Sequence, residues 1–216
     1  MPYRLLALLI VLLMLCHPGA FAQGAPVDPL TLRTRDLHQN LLIVADPYLS
    51  ADRYKEPFGK KSPYEAGILA IAVYFRNDND SPIRLNLETI RLVISPPGEE
   101  RQRLAALSVE EVADRVLPKA NANPSVPRRP LSFPGFGSKS GKGKAWDEMA
   151  ASLGSVVLAT DVLPPHATTH GFLFFDMNHH FDAIRHSRIY IPDLSFMADH
   201  KPLFFFEIDL SIAPAN

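Results

Sequence analysis

The chain has 216 residues, 47% of them hydrophobic, with 22 Lys and Arg against 23 Asp and Glu. That near balance excludes a globally basic nucleic-acid binder, so no nucleic-acid partner is expected. Cys16 is the only cysteine, which excludes a disulfide framework and a cysteine zinc site.

In chain order, Arg4 precedes an apolar run over residues 5–15, and Ala20 and Ala22 flank Phe21 as a signal peptidase requires. Residues 1–22 therefore read as a signal peptide, and residues 23–216 as a single domain exported to the periplasm or beyond. The other readings are an uncleaved N-terminal anchor and a lipoprotein carried on Cys16. Against the first, the run is shorter than the roughly 20 residues of a membrane-spanning helix. Against the second, Leu15 stands where lipid attachment wants a small residue.

Residues 40–45 (NLLIVA) and 67–75 (GILAIAVYF) read as strands. The second is continuously apolar, as a central strand covered on both faces must be. The NDNDSP stretch at 77–82 is a turn. Ile83, Leu85 and Leu87, then Ile90, Leu92 and Ile94, alternate with mostly polar residues, so 83–94 reads as two strands or one bent strand. An insertion over 99–154 follows. Ser108 and Glu111 form a capping box for a helix with Val109, Val112 and Val116 near one face, ended by Pro118.

Residues 118–144 carry six Lys or Arg and no Asp or Glu among prolines, glycines and serines. This composition predicts a long mobile basic loop with the charge to rest on an anionic membrane surface. A short helix is expected at 145–153. Strands then resume at 155–159, 171–175, 188–191 and 203–212; in the last, Phe206, Ile208, Leu210 and Ile212 alternate with polar residues. The pattern predicts a mainly β chain, an antiparallel sandwich of about 7–9 strands, with no βαβ unit.

The stretch ILAIAVYFRNDNDSPIRLNLETIRLVI resembles bacterial exported immunoglobulin-like domains, including telokin-like and late-embryogenesis-abundant-like modules. Asn77 opens the turn, Pro82-Ile83 starts the next strand, and Leu163-Pro164 before Gly171–Phe175 is similar to their penultimate strand. His166 departs from the pattern, at a position where glycine is common. The resemblance implies an immunoglobulin-like fold and a non-catalytic exported role, and carries over no functional residue.

Candidate chemistry concentrates in PPHATTHGFLFFDMNHHFDAIRH, which holds five of the eight histidines. His166 and His170 have the i, i+4 spacing of a helical metal pair, but an extended chain puts them roughly 13 Å apart. If Asn178 caps a helical turn, His179, Asp182 and His186 share one face at i, i+3 and i+7. That set would suit zinc, nickel or copper, with His170 or His200 joining it.

GFGSKSGKGK at 135–144 fails the phosphate-loop template, because five residues separate Gly135 from Gly141 and Gly143 replaces the hydroxyl residue. Counted from Asp78, Ile83 and Thr89 occupy the glycine and glutamate positions of a calcium loop. No catalytic residue is assigned. Tyr48, Tyr54, Phe58 and Trp146 form either a ligand patch or core.

The leading expectation is a non-enzymatic binding or structural module of a bacterial cell envelope with a protein partner and no cofactor. A periplasmic metal-binding protein using the His-rich 166–200 region is the second, and a hydrolase with dispersed catalytic residues the third.

Overall fold

The computed structural model describes residues 28–59, 62–118 and 143–213. Residues 1–22, expected to be a signal peptide, and with them Cys16, lie outside the described residues, as do residues 119–142 of the expected basic loop.

The chain is mainly β. Its strands are β1 (Arg35–His38), β2 (Leu41–Pro47), β3 (Ile68–Asn77), β4 (Ile83–Leu85), β5 (Arg91–Ile94), β6 (Gln102–Ala105), β7 (Val162–Leu163), β8 (Ala167–Asp176), β9 (Ser187–Ile191), β10 (Leu194–Phe196) and β11 (Phe206–Asp209). The helices are α1 (Ala51–Phe58), α2 (Val109–Val116) and α3 (Lys144–Val156). Among the described residues these form three antiparallel sheets, ordered β1-β2-β3-β8, β11-β9-β5-β6 and β10-β4-β7.

β3 and β8 explain the layering. Leu69, Ile71, Val73, Phe75, Leu173 and Phe175 join a core shared with Leu92, Ile94, Ile189, Phe206 and Ile208 of the β11-β9-β5-β6 sheet. The intervening Ile68, Ala70 and Phe174 face a second cluster with Tyr54, Phe58, Val112, Trp146, Met149 and Leu153 of the three helices. Successive strand residues point to opposite faces, so a continuously apolar strand between two covers is what GILAIAVYF requires. The insertion at 99–154 thus supplies much of the helical cover, while its β6 belongs to a sheet.

Several local expectations are corrected. Residues 155–159 do not form a strand, because α3 continues through Val156. Trp146, Met149 and Leu153 lie at i, i+3 and i+7 and bury one helical stripe. Only Val157 bridges Phe172, where Leu158 N–H donates to Phe172 O at 3.0 Å. Gly171 permits this approach, since a Cβ there would stand 2.5 Å from Leu158 Cα.

Residues 203–212 give a strand only at Phe206–Asp209, leaving Phe204 73% and Phe205 54% exposed; Ile212, expected on the dry face, is also exposed. Residues 83–94 divide between two sheets, separated by a 3-10 turn at Leu87–Thr89. The short strands β1, β6, β7 and β10 have no counterpart in the predicted set.

Two polar devices hold the layers. Asn77 is fully buried, and its Nδ2 lies within hydrogen-bond reach of the Ser81, Leu163 and Pro164 carbonyls at 3.0, 3.2 and 3.1 Å. Its Oδ1 accepts from Asn79 N–H at 3.1 Å, so the β3–β4 turn is tied to the segment entering β8. On the helical side, the Tyr54 hydroxyl donates to Ile68 O at 3.1 Å and accepts from Ala70 N–H at 2.7 Å. It satisfies β3 backbone groups beyond the point where β2 ends at Pro47.

Candidate functional site

The five histidines fall in separate places. His166 is in a turn with φ 51°, and its Nε2 lies 2.9 Å from an Asp80 carboxylate oxygen. His170 is in β8 opposite Tyr74 and stacks on that ring with centroids 5.5 Å apart. Strand geometry separates the pair, as the sequence predicts.

Asn178 does not cap a helix. Asn178 and His179 have φ of 45° and 66°, and His180 N–H donates to Met177 O at 2.8 Å. Two consecutive positive φ values closed by that bond make a turn of the type I′ kind. The helical segment starts only after His180, as a 3-10 helix at Phe181–His186.

With three residues per turn, Asp182 and His186 stand about 120° apart around the axis instead of on one line. His179 is outside the helix, edge-on to Phe181 at 6.5 Å. Gly67 lies against it with φ 73°; a Cβ on Gly67 would be 2.7 Å from His179 N. Among the described residues, no group of three or more His, Cys, Asp and Glu is placed to hold a metal ion.

The turn and 3-10 helix instead form one wall of an open cleft of about 750 Å³. The β5–β6 connection, with Pro96 and Glu99, and Gln102 at the start of β6 form the other; Ile94, Leu104 and Met177 supply apolar surface. Asp182, Arg185 and His186 all line it, so two of the three residues picked from the sequence meet here while His179 does not.

The walls are fixed by Ser95 N–H to His186 O at 2.9 Å and by Ser187 Oγ to Ala183 O at 2.7 Å. Asp176 at the cleft pairs with Arg115 of α2 at 3.1 Å. Apolar surface flanked by both signs of charge offers an extended polypeptide both burial and hydrogen bonds.

The aromatic residues singled out in the sequence divide between core and surface. Tyr54, Phe58 and Trp146 are buried in the helical layer. Tyr48 lines a smaller cleft of about 370 Å³ with Tyr74, His170 and Phe172. Arg53 lies 3.9 Å over the Tyr48 ring and binds both Asp46 carboxylate oxygens at 2.9 and 2.6 Å. The Asp46 bond raises the guanidinium above its ordinary range, and burial raises the Tyr48 and Tyr74 hydroxyls. Sequence reasoning missed the Asp46–Arg53 clamp and the Tyr74–His170 stack, because neither has a characteristic linear spacing.

No protein-family model matches the chain, and no curated protein does either. One similar solved structure is the crystal structure of a functionally unknown protein from Listeria monocytogenes EGD-e, with TM-score 0.34 and 12% identity over 73% of this chain and 70% of that one.

Proposed function

We propose that this protein is a non-enzymatic exported binding module of a bacterial cell envelope, built as an immunoglobulin-like sandwich with a helical cover, and that it engages a protein partner at the cleft. The leader-like residues 1–22 and the similarity of 68–94 to exported immunoglobulin-like modules support the setting. The observation that carries the binding role is the cleft itself: about 750 Å³, open, apolar between charged flanks, with hydrogen-bonded walls. A preformed concavity limits the ordering entropy that a partner's binding must overcome.

The test places a bulky side chain on the wall away from β6. His180 is exposed and lines the cleft, so His180→Trp narrows it without disturbing the core. In an envelope pull-down with the full chain, the proposal expects a specifically recovered partner to be lost in this variant. Unchanged recovery refutes the cleft as the binding surface.

A further inference from the structure

We infer that the cleft receives an extended partner segment as an added β-strand on the free edge of β6, with apolar and acidic residues alternating along that segment. The inference rests on the binding reading above and specifies its partner.

The backbone register identifies the free edge. Ser95 N–H bonds His186 O, so odd-numbered residues of β5 direct their amides and carbonyls toward β9. Leu92 and Ile94 consequently bond β6 through their partners Leu104 and Gln102. On β6, the outward-directed groups belong to Arg103 and Ala105. Two residues further along the same row, Leu107 N–H donates to Phe174 O of β8 at 2.8 Å.

Thus the row points toward β8 and is used at Leu107. Arg103 and Ala105 have no such partner among the described residues. The other long-sheet edges are occupied over part of their length. β8 accepts at Phe172 and Phe174, and Glu207 N–H of β11 donates to Asp36 of β1 at 3.2 Å.

The cleft lies beside this unused stretch of β6 and has the side-chain periodicity of a strand site. Gln102 and Leu104 point to the cleft side, where Ile94 and Met177 add apolar surface. Arg103 and Ala105 alternate to the outer face, next to Arg91 paired with Ala105. Arg103 is exposed and has no ion pair among the described residues. An added strand would place every second side chain in the cleft and the others beside Arg103. Cross-strand charge complementarity makes the latter acidic, and burial makes the former apolar. Main-chain bonds then supply affinity and the alternate pockets specificity.

The experiment uses the full-length chain and two fluorescein-labelled hexapeptides of equal composition, one alternating Glu and Val, the other with its Glu and Val in separate blocks. The alternating peptide is expected to bind preferentially and to slow amide exchange at Arg103 and Ala105. Ala105→Pro removes an outward amide without removing a β5 bond, and Arg103→Glu reverses the charge; each is expected to weaken binding about tenfold or more, with the fold confirmed by an unchanged melting transition.

Equal binding of both peptides, no protection at those amides, or no binding up to about 1 mM overturns strand addition. The two failures separate in the pull-down. A partner lost in His180→Trp but retained in Ala105→Pro and Arg103→Glu refutes only the strand mode, whereas a partner retained in all three refutes the cleft reading as well.

Discussion

Phe174 and Phe175 are neighbours in β8 and both fully buried, yet they belong to different cores. Phe175 packs among Leu, Ile and Val between the sheets. Phe174 meets Phe58 at 5.7 Å and shares a cluster with Tyr54 and Trp146 under the helices. The inter-sheet core is mostly aliphatic, as two pleated surfaces interdigitating at a spacing of about 10 Å allow. The helical layer uses large rings and anchors them by polar handles: Tyr54 on β3 and Trp146 Nε1 on Asp114 at 2.7 Å. Backbone ladders thus run within each sheet, whereas the sheets meet one another, and meet the helical cover, through side chains.

The largest effect should come from truncating those two rings. Phe175→Ala and Phe174→Ala are each expected to cost about 3–5 kcal/mol in denaturant unfolding. The contrast would appear in amide exchange: Phe174→Ala should expose α2 and α3 amides before those of β5 and β9, while Phe175→Ala should weaken both sheets together. Identical exchange patterns would show the two cores to be one cooperative unit.

Asn77→Ala comes next, since it leaves buried carbonyls and the Asn79 amide without their partner. A loss of about 2–3 kcal/mol is expected, with earliest exchange at the β3–β4 turn. A loss below about 0.5 kcal/mol would mean that water replaces the side chain there.

Tyr54→Phe probes the anchoring of the helical layer and should cost about 1–2 kcal/mol at neutral pH. Burial raises the Tyr54 hydroxyl well above its ordinary value of 10.0. Between the unfolded value and the raised folded one, the native state holds a proton that the unfolded state has released, so stability falls as pH rises. The Tyr54 contribution is therefore complete below about pH 10 and is lost above it on the way to the folded-state value. Parallel stability profiles for the wild type and the variant above pH 10 would refute this role.

Ser108→Ala should have the smallest effect. Ser108 Oγ accepts from Glu111 N–H at 3.2 Å, and Glu111 returns a bond to Ser108 N–H at 2.8 Å. Loss of this capping box is expected to cost about 1 kcal/mol, seen as faster exchange confined to the start of α2. A global loss of protection would tie that helix to the inter-sheet core more tightly than the packing indicates.

The cleft was only partly legible. Asp182 and His186 stand out in the sequence, with His179, as candidate metal ligands at i, i+3 and i+7, and both line it while His179 does not. Their predicted helical face required Asn178 as a cap; the positive φ values at Asn178 and His179 form a turn there instead. Asparagine and histidine tolerate that conformation, so neither residue type announced the choice. The β6 edge was illegible for a different reason: Gln102–Ala105 has no apolar run of its own and becomes a strand by pairing with β5.

Local chemistry in the sequence determined the mainly β character, the two-sided burial of β3, the capping box at Ser108 and the turn at Asn77, because periodicity and caps act over a few residues. Tertiary structure decided that α3 runs on through Val156, that 83–94 splits between sheets, and that Phe204 and Phe205 remain exposed. It also decided that the outward backbone groups of Arg103 and Ala105 on β6 have no backbone partner among the described residues. Those outcomes depend on what a distant segment places opposite each residue, and partners far apart in the chain leave no signature in local spacing.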